Sequence, residues 1–430
     1  VQGVVAPETC GIGGDLFALI WINGETKPYC LDSSGYAGSN ADLSSLSSYS
    51  NIPLDHPMSV TVPGAVRGWY AMHERFGNLE MNDLFIQAIE ICSNGFNVSS
   101  ELHQSLKRHE ESMKMQDSGK ELYPFGKVPG IGDTVQRTML GKTLKNISDQ
   151  GSDYFYSGKV SEAISDSLTN IVTSHDISSF YPQWVEPLSL EIYGKIGWVT
   201  PPQTQSYLTL ATLKIYEMLD SDFKDIDMHT LIESYRAAAS QRDDITYDYG
   251  NNIDLFPGLN TEYLKSLSNL IDLDNSSIFT QPTDIGGGTA YMCTKDKDGN
   301  AVSLIQSNYY GIGSTIGVKD YGFFLHNRGA GFNLIQNHIS NEGYFLNVNR
   351  YEKRTVGSPI RIAEYPYDDK WQVIISRPSF KQEHIHKLLT KRINNTDRSD
   401  IKTELKQISG IGKKFYSSRY KRIKNFLYFK

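Results

Sequence analysis

Three consecutive glycines, Gly286-Gly287-Gly288, stand directly before Thr289, and a short apolar run follows. A threonine hydroxyl is a poor nucleophile at neutral pH until a base lies within hydrogen-bond reach. If the chain is cut before Thr289, the freed α-amine supplies that base on the same residue. Glycines ahead of the cut leave the peptide free to adopt the strained geometry that an N-to-O acyl shift needs. The same string is also an ordinary turn before a strand, so its meaning depends on the elements around it.

Residues 290–295 read as a strand, Asp296-Lys297-Asp298-Gly299-Asn300 as a turn, and residues 301–308 as the returning strand. Asp-Gly between two apolar runs is a strong hairpin signal, because both positions tolerate positive φ. A two-residue turn at Asp298-Gly299 sets Thr289 opposite Asn308, with Ser307 adjacent. A single bulge instead sets Thr289 directly opposite Ser307. Either register brings a second hydroxyl or an amide up to the threonine.

The rest of the chain must position this hairpin. Residues 1–35 read as buried strands joined by tight turns, with Gly11-Ile12-Gly13-Gly14 packing near the site and an apolar run over 16–21. Residues 59–65 predict a short strand ending at Pro63-Gly64. A helix then carries Trp69, Met72 and Phe76 into the core, and another over 82–94 stops at Gly95. Residues 100–180 read as mostly polar helix. Alternating apolar residues predict strands over 184–200, and two helices follow over 206–219 and 228–241. Mixed elements without regular βαβ alternation favour an α+β or layered α/β architecture.

With 39% hydrophobic and 21% charged residues, the 430-residue chain has the makeup of a folded globular protein. No run approaches the roughly 18 apolar residues of a membrane span, so no membrane partner is expected. Cys10, Cys30, Cys92 and Cys293 are widely spaced without CxxC, and the histidines include no HExxH; neither a disulfide framework nor a zinc site is expected. The chain opens at Val1 without a signal pattern, which reads as a truncated start and leaves cytoplasmic, periplasmic and secreted locations open. Residues 381–430 carry 14 Lys/Arg against 4 Asp/Glu, so a chain of net charge -7 has a body of -17 and a basic tail of +10. In that tail, residues 408–414 are similar to the hairpin of helix-hairpin-helix modules, but there is a single short copy. A solvated basic surface is the reading, and no nucleic-acid partner is expected.

Four ordered stretches resemble the gamma-glutamyltransferase family of self-cleaving N-terminal nucleophile hydrolases. They are Val4-Val5-Ala6-Pro7 with Gly11-Ile12-Gly13-Gly14, residues 59–66 with Gly68-Trp69, residues 184–188, and Gly288-Thr289-Ala290-Tyr291 with residues 296–304. The resemblance implies a four-layer αββα sandwich, incomplete at both ends here. It also implies autocleavage between Gly288 and Thr289, giving a large region 1–288 and a small region 289–360, with 361–430 a divergent tail. The two fragments of one precursor would stay together, and assembly of identical copies stays open. Thr289 would be the catalytic nucleophile, supported by Ser307, with Asn308 or Tyr309 where the family has a substrate-contacting asparagine. No metal or organic cofactor is implied.

Several departures bear on specificity. Where gamma-glutamyl enzymes clamp the substrate α-carboxylate with an arginine, this chain has Ser34; where they hold the α-ammonium with an acidic residue, it has Gly331, with Arg328 nearby. Asn327-Arg328-Gly329-Ala330-Gly331-Phe332 looks like the acylase and amidohydrolase branch, in which Arg328 would face a substrate carboxylate or form a structural ion pair. Ser358 lies near an expected substrate-contacting hydroxyl, but no Gly-Gly pair for an oxyanion hole follows it. The expected activity is hydrolysis or acyl transfer on a small-molecule amide or peptide other than a standard gamma-glutamyl group. The alternative is an inactive, truncated family member.

Overall fold

The computed structural model describes residues 1–219, 227–279, 289–332 and 334. Every element named below lies in one compact unit, Val1–Leu273 with Ser277–Ser379. Of a second unit, Asp274–Ser276 with Phe380–Lys430, only the first three residues are described. The basic tail, Gly288 and Ser358 lie outside the described residues.

The longer strands are β1 (Asp15–Trp21), β2 (Tyr29–Ser33), β3 (Gln183–Val185), β4 (Leu188–Ile192), β5 (Lys195–Val199), β6 (Ala290–Lys295) and β7 (Ala301–Ser307). Five of them form one antiparallel sheet in the order β3-β2-β1-β7-β6, while β4 and β5 make a separate hairpin. Strand β1 is buried at every position, which is why its sequence reads as a continuous apolar run rather than an alternation. Its Leu16, Ala18 and Ile20 share a face with Leu31, Val302 and Leu304, and helix α1 (Ala65–Phe76) covers that face with Ala65, Trp69, Met72 and Phe76. Leu16 is fully buried there; cutting it to alanine should cost about 2–5 kcal/mol. The opposite face carries Asp15, Phe17 and Leu19 beside Ser307, Ile305 and Ser303.

Helix α2 (Met81–Asn94) ends where Gly95 adopts φ 89°, and it packs through Phe85, Ala88 and Cys92 against Leu140, Leu144 and Ile147 of α3 (Thr138–Gln150). A further core joins α4 (Tyr207–Leu219), α5 (Met228–Ser240) and α6 (Thr261–Ser268) to the β4–β5 hairpin. Among the described residues no helix is long and apolar enough to cross a membrane. Mixed helix and sheet is therefore observed, with one large sheet among the described residues.

Two local expectations are corrected. Residues Gln2–Val5 form one helical turn, not a strand, with only Val4 buried; a four-residue apolar run cannot distinguish the two by periodicity. Residues 60–64 form no ladder either. A 3-10 turn at Pro57–Ser59 leads into them, and Val62 N–H donates instead to the carbonyl of Tyr36 at 2.7 Å. This segment threads between the sheet and the loops, so its apolar residues are buried without strand neighbours.

Candidate active site

The hairpin takes the bulged register. Ala290 pairs with Gln306 and Lys295 with Ala301, which sets Thr289 beside Ser307. The turn explains the choice. Asp296 N–H donates to Asn300 O at 3.0 Å, the Asp296 carboxylate accepts from the N–H groups of Asp298 and Asn300, and Gly299 adopts φ 91°. That leaves a three-residue tip closed by a left-handed glycine, a geometry favoured for such loops.

The two hydroxyls meet at 3.0 Å, Thr289 Oγ1 to Ser307 Oγ. Ser307 Oγ also accepts the Tyr309 N–H at 2.8 Å. A serine hydroxyl has one proton and two lone pairs. With Tyr309 on one lone pair, the Ser307 proton is available to Thr289. Tyr309 reaches back because its φ is 73°, a left-handed conformation costing on the order of 1–3 kcal/mol for a bulky residue. The bend is held from outside, since Asn327 Oδ1 accepts the Tyr310 N–H at 2.9 Å and Asn327 Nδ2 donates to Gly313 O at 2.9 Å.

Close packing behind the pair depends on Gly13 and Gly14. A Cβ at Gly14 would lie 2.4 Å from the Ser307 carbonyl oxygen, and one at Gly13 would lie 2.3 Å from that of Phe324. The glycine loop thus slides between the end of β7 and residues 324–326, as a tight turn near the site should. Asn308 lies on the side of this loop. Its Nδ2 donates to Pro7 O at 3.1 Å, and Gln306 Nε2 donates to Gly11 O at 2.8 Å. Alternation along the strand puts both amides on the face opposite Ser307. Asn308 Oδ1 is buried with no partner among the described residues.

Antiparallel register extends the active face sideways. Asp15 pairs with Ser307, and Leu16 with Ser33, so Ser34 follows on beside Asp15. The row across the sheet is Thr289, Ser307, Asp15, Ser34. Ser34 is buried, and its N–H and Oγ–H both donate to Asp32 Oδ1, at 2.9 and 2.7 Å. Gln203 donates to the other Asp32 oxygen. Asp15 is fully buried and accepts from Arg328 Nε and, at 3.4 Å, from Gly35 N–H. Arg328 opens the 3-10 turn Arg328–Gly331, which also contains Gly331. His326, buried beside Asp15, has its Nδ1 3.1 Å from the Arg328 backbone nitrogen and 3.8 Å from Asp15 Oδ2, and its Nε2 2.9 Å from Thr61 O.

Thr289, Ser307 and Tyr309 are thus brought together, with Arg328 one strand away through Asp15. Asp15 and His326 were missed. Asp15 carried a signal: a carboxylate heading a fully buried apolar strand requires a partner. His326 had no spacing to mark it. In the loop gripped by Asn308, burial pushes the Glu8 carboxyl up to about 7 and the Cys10 thiol up to about 11. Among the described residues, no group of three or more His, Cys, Asp or Glu side chains is placed to hold a metal ion.

Comparisons with known proteins agree on one family. The gamma-glutamyltranspeptidase family model matches residues 1–358. A glutathione hydrolase-like YwrD proenzyme of Bacillus subtilis is 31% identical over 350 residues, covering 78% of this chain and 66% of that protein. An oxamate amidohydrolase proenzyme of Klebsiella pneumoniae is 30% identical over 354 residues, with the same coverage of 78% and 66%. The chain therefore spans slightly under two thirds of the length of these relatives. The crystal structure of a cephalosporin acylase from Bacillus halodurans superposes with a TM-score of 0.72 at 26% identity, covering 83% of this chain and 67% of that one.

Proposed function

The chain belongs to the gamma-glutamyltranspeptidase family, with the layered α+β fold of the N-terminal nucleophile hydrolases, and we propose that it cleaves amides through Thr289 after cutting itself at Gly288/Thr289. The 3.0 Å contact between Thr289 Oγ1 and Ser307 Oγ carries this reading. A structural serine at the end of a strand needs no hydroxyl partner on the neighbouring strand. Here the partner is the residue that self-cleavage would make N-terminal.

In the cut protein the α-amine of Thr289 takes the hydroxyl proton as Oγ1 attacks the amide carbon. Ser307 donates to Oγ1, so that the oxygen is oriented and its developing charge is shared. The amine then returns the proton to the leaving nitrogen, and an ester on Thr289 remains. Water or a second amine resolves that ester, giving hydrolysis or acyl transfer. The names of the similar proteins support the reaction class: a glutathione hydrolase-like proenzyme, an oxamate amidohydrolase proenzyme and a cephalosporin acylase. Ser34 replaces the arginine expected for a gamma-glutamyl head and is tied to Asp32. The substrate is therefore an amide recognised in some other way.

The test is to trap the acyl-enzyme. The protein is mixed with a panel of activated amides, quenched in acid and digested, and the peptide beginning at Thr289 is weighed. An acyl adduct on that peptide, absent in Thr289→Ala, is the expected result. Turnover with an unmodified Thr289 peptide, or turnover by Thr289→Ala, would refute the assignment.

A further inference from the structure

We infer that Asp32 and Gln203 form a subsite for a cationic N–H donor at the far end of the acyl group, so that the preferred substrates are amides of acids that carry an ammonium or a guanidinium. This rests on Thr289 being the nucleophile.

Asp32 stands on β2 opposite Phe17 of β1, on the face of the sheet that carries Ser307 and Asp15. It is partly exposed, and its hydrogen-bond partners are all neutral: the Ser34 N–H and Oγ–H on Oδ1 and the Gln203 amide on Oδ2. Among the described residues no lysine, arginine or histidine forms an ion pair with it. Arg328, which reaches within 5.7 Å of the Phe17 ring, is already engaged by Asp15. The Asp32 charge is therefore balanced by dipoles alone, and a carboxylate in that state attracts a cation.

Gln203 supplies the second acceptor. A carboxylate oxygen only accepts, so the Gln203 amide must present Nε2 to Asp32 and turn Oε1 away. That Oε1 is buried with no partner, on a side chain only 6% exposed. Buried carbonyl oxygens are paired as a rule, and this one lies on the order of 4–5 Å from Asp32 Oδ2, one amide width beyond the hydrogen bond. An ammonium or guanidinium placed between them would donate to both. The backbone at Gln203 points the same way, because its φ is 104°, a conformation that glycine adopts freely and glutamine resists. Hydroxyls on either side hold it there: Thr204 Oγ1 donates to Pro201 O at 3.1 Å and Ser206 Oγ to Thr200 O at 2.8 Å. What glutamine adds at this strained position is its side chain on Asp32.

The row Thr289, Ser307, Asp15, Ser34 crosses three strand spacings, about 14 Å, and Ser34 binds Asp32 directly. Contacts of about 3 Å at each end leave roughly 8 Å, or about six to eight bonds between the scissile carbonyl and the cationic nitrogen.

The experiment compares the p-nitroanilides of ω-aminohexanoic and ω-aminooctanoic acid with their N-acetyl forms, which keep the chain and one N–H but lose the charge. A charge-assisted contact corresponds to a wild-type kcat/KM ratio of roughly 10 to 150 in favour of the ammonium, carried mainly by KM. Asp32→Asn keeps an acceptor for Ser34 without the charge and should bring the ratio to within about threefold of unity. Gln203→Gly relieves the left-handed backbone, so it should leave the melting temperature close to that of the wild type and still lower the ratio at least about threefold. A ratio near unity in the wild type, or one that survives in Asp32→Asn, overturns the proposal. So does a Gln203→Gly protein that melts lower but keeps the wild-type ratio, since a mere brace would behave that way. Calorimetric binding of free ω-aminooctanoate, which holds no amide to cleave, separates the subsite from the nucleophile assignment. Binding at least about tenfold tighter than that of its N-acetyl form, and lost in Asp32→Asn, sustains the subsite even if no anilide is cleaved; equal binding of the two removes it.

Discussion

Ser307→Ala tests the hydroxyl pair most sharply. In the resting protein Ser307 Oγ sits 3.0 Å from Thr289 Oγ1 and 2.8 Å from the Tyr309 nitrogen. Losing a neutral hydrogen bond costs about 0.5–1.5 kcal/mol, whereas one to a charged group is worth about 1.5–3 kcal/mol. During attack Thr289 Oγ1 becomes partly anionic, so the second range applies to the transition state. At about 1.36 kcal/mol per decade this predicts a fall of roughly 10- to 150-fold in kcat/KM. If Ser307 acts on a Thr289 nucleophile and not on the bound substrate, the fall should be in kcat. Ser307→Thr keeps the hydroxyl and should recover most of the rate. The assay is steady-state amide hydrolysis on protein shown by mass to be cut to the same extent as the wild type. A loss below threefold in Ser307→Ala, or a loss confined to KM, would show that the 3.0 Å contact does not serve catalysis.

Three further outcomes follow from the structure. Gly14→Ala places a methyl 2.4 Å from the Ser307 carbonyl; it should lower stability by about 1–3 kcal/mol in urea titration and lower activity with it. Burial raises the Glu8 carboxyl from 4.5 to about 7, so the folded state holds that proton more tightly than the unfolded chain. The cost of ionising it is absent below pH 4.5, grows as pH rises and is complete above about 7. Glu8→Gln should therefore raise the melting temperature at pH 8 and leave it little changed at pH 4.5, as followed by calorimetry. Cys10, Cys30 and Cys92 are buried while Cys293 is exposed, and burial lifts the Cys10 and Cys92 thiols to about 11. A chromogenic disulfide at pH 8 should react quickly with one thiol per chain and with the others only after denaturation.

Much of the candidate site was legible because it is local. Thr289 and Ser307 are joined by a hairpin whose turn residues are visible in sequence, and only two registers were open. Choosing between them needed the Asp296 side chain, which caps two backbone N–H groups and so closes the longer loop. The helices over 65–76, 81–94, 207–219 and 228–240 were legible from periodicity and stop signals. The Asp15–Arg328 pair joins residues 313 positions apart, and no local pattern encodes such a contact. The left-handed Tyr309 was equally hidden, because tertiary bonds from Asn327 hold a conformation that tyrosine's own preference opposes. Residues 60–64 looked like a strand because burial alone selects apolar β-branched residues, whether or not a ladder partner exists.

Whether Thr289 becomes an N-terminal nucleophile is read from the mass of the purified chain after incubation at neutral pH. Two fragments meeting at Gly288/Thr289 are expected, both lost in Thr289→Ala and slowly recovered in Thr289→Ser. A single uncut wild-type chain, or a cut that persists in Thr289→Ala, would contradict it.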